Sequence, residues 1–299
     1  MMRAAKLVGP DPDLALVGAP QFLIIGAAKS GTTTLYDDLA AHPDANMPRD
    51  KEPDILHRAE SPDGVAKLWR GHFSGPGEGL VCGEGSTPYT MAPEREQVAG
   101  LARAAMGAEG RVIYIMRDPV KRVLSQLAHD YHTGCLSPED FDTAALQGSR
   151  YIDVSDYAKQ LTPWISAFGR MQVLPLVFED LVANRREVVQ RAAQFVGLDP
   201  LKLPFRTEVS NVSGELTRPR SALVEQGVRS HMYRRHLRPY LPNWLLVRAK
   251  LRFGYQKEPV EVVLSDATMA KLRARLAHVP GALARLGIDV GPWWERADG

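Results

Sequence analysis

Phe22-Leu23-Ile24-Ile25 is a short unbroken apolar run ending in Gly26, and Gly31 opens the stretch Thr32-Thr33-Thr34-Leu35-Tyr36-Asp37-Asp38-Leu39. An uninterrupted run of that length, closed by glycine, reads as a strand buried on both faces. Threonines ahead of an apolar period, with Leu35 and Leu39 four apart and acids in the early turns, read as a helix start. The unit is strand, glycine-bearing loop, helix, and the same alternation returns downstream. Leu80 to Gly83 is a second strand candidate. Arg111 to Met116 is a third, followed by Arg117-Asp118-Pro119 and a helix from Val120 to about His132. Met171 to Phe178 is a fourth, leading to a helix over 185–196 that stops at Gly197; a last helix runs from Ala267 to about Leu276. Strands alternating with helices predict an α/β fold with a mostly parallel central sheet flanked by helices.

A chain of 299 residues leaves room for two domains, yet open α/β sheets of this length often fold as one. Residues 1–20, with three prolines and two glycines, read as a loose N-terminal arm, and 21–299 as a single domain. A net charge of +2 from 37 basic and 35 acidic side chains argues against a dedicated nucleic-acid binder, so any positive field is local. Cys82 and Cys135 are too few for a disulfide framework or a thiolate metal site, and read as reduced, half-buried thiols. The apolar stretch from Leu14 to Ala19 is broken by Gly18, and no uncharged run approaches the ~18 residues of a membrane span. A cytoplasmic address is the expectation.

The loop from Gly26 to Thr33 suits an anion. Backbone N–H groups at a helix start lack helical partners, and the helix dipole favours negative charge there. The nucleotide loop G-x-x-x-x-G-K-[ST] would put lysine at position 32, where this chain has threonine; its lysine comes three residues earlier, at Lys29. A triphosphate also brings magnesium held by a second-strand aspartate. The one such acid, Asp118, sits inside an Arg-Asp-Pro turn. A sulfuryl group carries less charge, and a lysine with backbone amides suffices for it without metal. A plain glycine turn between strand and helix is the bland alternative.

With the second element a family resemblance emerges. Gly26-Ala27-Ala28-Lys29-Ser30-Gly31-Thr32-Thr33-Thr34-Leu35 resembles the 5′-phosphosulfate loop of sulfotransferases that use 3′-phosphoadenosine 5′-phosphosulfate (PAPS). Arg117-Asp118-Pro119-Val120-Lys121-Arg122-Val123-Leu124-Ser125 resembles their 3′-phosphate element. His42-Pro43, Lys51-Glu52-Pro53 and Gly83-Glu84-Gly85-Ser86-Thr87-Pro88-Tyr89 stand between them in the order of the branch that holds the heparan sulfate enzymes and bacterial relatives. Phe178-Glu179-Asp180-Leu181 and Phe195 to Leu198 match its later pattern, so the likeness covers roughly 20–225.

The resemblance implies a P-loop-NTPase-like sulfotransferase fold and PAPS as donor, with no metal required. It implies that Lys29 contacts the bridging oxygen and stabilises the leaving phosphate. Lys29, Ser30, Gly31, Thr32, Thr33 and Thr34 would hold the donor's 5′ side, Arg117 and Ser125 its 3′-phosphate, and Arg220 the closing loop. Glu52 falls where the branch keeps a catalytic glutamate that takes the acceptor's proton, the more efficiently if burial raises its pKa. The match is imperfect: Pro53-Asp54-Ile55-Leu56 replaces a pair of aromatics, and Gly85 stands where Golgi enzymes carry lysine. Histidine is the rival base, with His129, His132, His57 and His72 as candidates.

Other features keep two or more readings. Lys51 contacts the donor or balances Asp50. Arg122 reads as solvent-facing or paired with an acid. Ser86 to Tyr89 is part of the site or a turn with a packing tyrosine. Residues 229–252 hold Arg229, Arg234, Arg235, Arg238, Arg248, Lys250 and Arg252 with Trp244 and no acid. That stretch is a solvated basic face, an acceptor-side surface, or a peripheral patch resting on anionic lipid. The acceptor is a carbohydrate, glycolipid or small-molecule hydroxyl, and no oligomeric state follows from the pattern. Two competing functions are a P-loop nucleotide-dependent kinase and a catalytically silent nucleotide- or glycan-binding module on the same fold.

Overall fold

The computed structural model describes residues 15–48, 51–73, 79–91, 97–133, 135–204, 217–219, 255–257, 260–291 and 293. The first apolar run forms β1 (Phe22–Gly26), buried throughout, and Gly31 caps α1 (Thr32–Ala40). The chain continues through β2 (Ala45–Asn46), α2 (Pro62–His72), β3 (Val81–Gly85), α3 (Val98–Met106), β4 (Arg111–Met116) and α4 (Pro119–His132). After α5 (Phe141–Ala145) and α6 (Tyr157–Phe168) come β5 (Val173–Val177), α7 (Phe178–Ala183) and α8 (Arg185–Val196). A short antiparallel ribbon pairs β6 (Thr217–Pro219) with β7 (Tyr255–Lys257), and α9 (Asp266–Leu276) and α10 (Val279–Arg285) follow.

The main sheet has the order β2-β3-β1-β4-β5, with every pairing parallel. Period-2 alternation sends Leu23 and Ile25 of β1, with Val112, Tyr114 and Met116 of β4, to one face, where they pack with Trp69, Leu127, Leu161 and Trp164. Phe22, Ile24, Ile113 and Ile115 face the other way, onto Leu35, Leu39, Val189 and Ala193 of α1 and α8. Each fully buried Leu or Ile contributes roughly 1.5–3 kcal/mol, so a strand apolar on both faces is stable only with a layer on each side. β1 lies between β3 and β4, and the chain leaves it in opposite directions along the sheet. In such sheets the crevice beyond the carboxyl ends of the strands binds ligand. Lys29, Ser86 and Arg117 follow the ends of β1, β3 and β4 respectively.

Several expectations are corrected. β5 begins at Val173, after a tight turn over Arg170–Gln172, and Phe178 opens α7 instead of closing the strand, with Glu179 and Asp180 in the helix's first turn. α6 carries Pro163 in its interior, a residue that ordinarily breaks helices. Arg122 neither faces solvent nor meets an acid in a hydrogen bond. It is wholly buried, donating from Nε to Ser155 Oγ at 2.6 Å and from Nη2 to the carbonyls of Arg150 and Tyr151 at 3.1 Å each. The wide helical turn Gly148–Asp153 lies against α4 and presents carbonyls inward, and the guanidinium fork satisfies them. Cys82 is half-buried as expected, whereas Cys135 is exposed. No helix among the described residues is long and apolar enough to cross a membrane. Residues 229–252 lie outside the described residues.

Candidate active site

The anion loop is built by two residues in left-handed backbone conformation, Lys29 at φ 69° and Gly31 at φ 84°. Glycine takes that conformation freely, and a Cβ at Gly31 would meet the Phe178 ring at 2.6 Å. For lysine the same conformation costs about 1 kcal/mol. The N-cap of α1 is Gly31, which has no side chain to cap the helix, and a helix start of this kind favours an anion through its N–H groups and dipole. Ser30, Thr32 and Thr34 are buried beneath this turn, Ser30 beside the Tyr157 hydroxyl, while Thr33 is half-buried.

Lys29 and Arg117 converge here. Burial lowers the Lys29 ammonium from its ordinary value, with Arg122 and Arg117 adding to the effect; Asp130 and Glu52 oppose it. The Arg117 guanidinium lies 4.9 Å from the centroid of the Phe178 ring and donates weakly from Nη1 to the Lys29 carbonyl at 3.5 Å. Its Nε is buried with no hydrogen-bond partner among the described residues. Tyr157 donates to the Arg117 carbonyl at 2.7 Å, and Glu179 accepts the Asp118 N–H at 3.0 Å, which holds the backbone after β4 in place. A glycine-capped helix start, a half-buried ammonium and an arginine with a spare donor fit a polyanionic donor such as PAPS. Ser125 is half-buried two turns into α4. Arg220 lies outside the described residues.

Glu52 arrives from the loop between β2 and α2. Its backbone also has positive φ, 64°, and its N–H donates to the Gly85 carbonyl at 2.9 Å. Oε1 accepts from Lys51 Nζ at 2.8 Å and from Thr87 Oγ1 at 2.9 Å. Lys51 therefore meets Glu52 itself. Burial alone would raise the Glu52 carboxyl, but the Lys51 ammonium and the Thr87 hydroxyl outweigh it, and the net displacement is downward. The rise expected from partial burial is thus reversed by a neighbouring cation.

His129 lies one turn beyond Ser125 on α4. Burial, and then the nearby Lys29 ammonium, push it down to about 4, and its Nδ1 is buried with no hydrogen-bond partner among the described residues. It is a weak base at neutral pH. The folded value lies below the ordinary 6.5, so the unfolded chain takes up the proton first. The stability this neutral imidazole supports is complete above pH 6.5 and lost as pH falls towards 4. At about 1.4 kcal/mol per unit, halved for partial exposure to solvent, the loss is about 1–2 kcal/mol. His129→Asn is expected to lose that much less stability than wild type over this window in parallel urea titrations; coincident pH dependences would refute it.

The sequence pattern contained three residues without showing their work. Phe178 packs on Gly31 and Arg117, Glu179 anchors Asp118, and Glu84, wholly buried, accepts from Trp69, Ser86 and Tyr89. An acid between glycines at the end of an apolar strand was the available signal for Glu84. Asp130, also buried, binds Arg150 through two bonds at 2.7 and 2.9 Å and lies close enough to support the charge on Lys29.

Comparison with known proteins bears on the family and the fold. The family model described as a sulfotransferase domain matches residues 19–238. Mouse heparan sulfate glucosamine 3-O-sulfotransferase 3A1 is 30% identical over 191 residues, covering 60% of this chain and 46% of that protein. Mouse carbohydrate sulfotransferase 15 is 24% identical over 325 residues, covering 84% of this chain and 54% of that one. The chain thus spans about half the length of the curated relatives it matches. A solved sulfotransferase from Alicyclobacillus acidocaldarius shares the fold, with a TM-score of 0.54 at 22% identity over 92% of this chain and 98% of that structure. The family match runs from just before β1 to beyond β6, across the loops that follow β1 and β4, and this chain therefore belongs to the sulfotransferase domain family.

Proposed function

We propose that this protein transfers a sulfuryl group from PAPS to a carbohydrate hydroxyl. The observation that carries the reading is the convergence of Lys29, Arg117 and the glycine-capped start of α1 on one crevice, with Glu52 close to Lys29. Lys29 faces the oxygen between phosphorus and sulfur. As the acceptor oxygen forms its bond to sulfur, the bond from sulfur to that bridging oxygen breaks, and the electron pair stays on the departing phosphate. A fixed ammonium is strongest against this growing charge. Glu52 takes the acceptor's proton, leaving a sulfate ester and adenosine 3′,5′-bisphosphate. Similarity to carbohydrate sulfotransferases supports a sugar as acceptor.

Calorimetry with adenosine 3′,5′-bisphosphate and with ATP, together with transfer assays in chelator, tests the reading. Tight bisphosphate uptake and metal-independent transfer are expected. Tight ATP binding with indifference to the bisphosphate would favour a kinase. Bisphosphate binding without turnover on any sugar would favour a silent module.

Arg117→Ala bears on the 3′-phosphate. A charge-assisted contact of this kind contributes about 1.5–3 kcal/mol, so the bisphosphate should bind roughly 10- to 150-fold more weakly. Adenosine 5′-phosphosulfate, which lacks that phosphate, should bind about as before. Equal losses for both ligands in titration calorimetry would remove Arg117 from this role.

A further inference from the structure

The loop that carries Glu52 is attached to the end of β3 and the segment after it by three alternating backbone amides. The N–H groups of Glu52, Asp54 and Leu56 donate to the Gly85 carbonyl at 2.9 Å, to Ser86 Oγ at 3.1 Å and to the Tyr89 hydroxyl at 3.2 Å. Two of these acceptors are hydroxyls, which accept in a fixed direction only if their own protons are committed elsewhere. Both protons go to Glu84: Ser86 donates to Oε1, and Tyr89 donates to Oε2 at 2.9 Å. Trp69 Nε1 completes the set at 2.7 Å, and the carboxyl group is wholly buried. Burial raises the Glu84 carboxyl above its ordinary value and its three hydrogen-bond donors oppose that rise; in the ionised form the group is acceptor-only and sets the direction of every bond in the network. Glu52 and Asp54 both have positive φ, at 64° and 54°, and such backbone persists only where its surroundings hold it.

We propose that Glu84 is a positioning residue for sulfuryl transfer, acting through the Ser86 and Tyr89 hydroxyls to hold the Glu52 loop at the donor. This rests on the reading of Glu52 as the base. Glu84 touches neither donor nor acceptor. A glutamine in its place offers one acceptor oxygen and an NH₂ donor to three incoming donors. At least one hydroxyl must then turn its proton away from residue 84, and its oxygen no longer has a fixed direction for the amide of Asp54 or Leu56.

The test is steady-state and binding measurement on the full chain carrying Glu84→Gln, Tyr89→Phe, Glu52→Gln and the double variant Glu52→Gln/Glu84→Gln. A displacement near 1 Å of a reacting group can cost about 100-fold, so Glu84→Gln should lower kcat by about 10- to 100-fold. The dissociation constant for adenosine 3′,5′-bisphosphate should stay within about 3-fold, because the donor loop does not depend on Glu84. Tyr89→Phe buries no new polar group and should fold even if Glu84→Gln does not. It removes the acceptor for Leu56 and should lower kcat by about 3- to 10-fold, again sparing bisphosphate affinity. In the Glu52→Gln background the Glu84 substitution should add less than about 2-fold, since it acts through the residue already lost.

Three outcomes would overturn the proposal: wild-type kcat in both Glu84→Gln and Tyr89→Phe, loss of bisphosphate affinity in step with kcat, or a multiplicative double variant. Full activity in Glu52→Gln would instead remove Glu52 as base. A selective kcat loss in Glu84→Gln would in that case still assign Glu84 the support of this loop.

Discussion

Lys29→Ala is expected to lower single-turnover sulfuryl transfer by about 100- to 1000-fold, the usual cost of removing a fixed group that faces developing charge. Its ammonium is half-buried and feels the charges of two arginines and two carboxylates. Lys29→Arg should rescue little, because a planar fork cannot take the place of a compact ammonium. A second measurement separates this from a general loss of structure. Lys29 is one cause of the low His129 value, so its removal should move that titration upward, as read by proton NMR in the donor-free protein. Lys29→Gly should match the alanine variant in activity and exceed it in stability by about 1 kcal/mol, since only glycine takes φ 69° freely. Near-normal single turnover in Lys29→Ala would remove the lysine from the chemistry.

Glu52→Gln is expected to lower kcat by about 100-fold or more, the range for loss of a positioned general base. Glutamine keeps an oxygen for Lys51 and Thr87, so the change isolates proton transfer from loop geometry. In wild type, the pH dependence of kcat/KM should fall only below the ordinary carboxylate value of 4.5, because Lys51 and Thr87 outweigh burial in the free protein. In kcat the fall should begin at higher pH, since a bound polyanion opposes ionisation of a neighbouring carboxyl. His129→Asn provides the comparison. Full activity in Glu52→Gln with a large loss in His129→Asn would move the base to the histidine.

Much of the frame was legible in the residues. β1 and β4 are continuous apolar runs, and Gly31 with its threonines marks the start of α1, because strand burial and helix entry are decided within a few residues. Lys29 three positions before Thr32 already set this loop apart from a nucleotide-triphosphate loop. The burial of Arg122 was not legible. Its partners are Ser155 and two carbonyls about 30 positions away, in a turn with no strong local pattern. The direction of the Glu52 displacement was missed for a related reason. A raised value was conditional on burial, and the Glu52 side chain is 40% exposed; the rotamer that sets Lys51 against the carboxylate, and the approach of Thr87 from another segment, have no local signal.

Periodicity, glycine placement and the position of one lysine determined that a parallel sheet would carry a glycine-bearing loop with a lysine ahead of a helix. The order β2-β3-β1-β4-β5 then decided what meets that loop. It brings the end of β4 beside Lys29, so that Arg117 reaches a carbonyl 88 positions earlier, and the end of β3 under the Glu52 loop, so that Ser86 receives an amide from 32 positions back. Contacts of that separation depend on which strands are neighbours, a choice made by packing whole faces of the sheet, and no local run of residues encodes it.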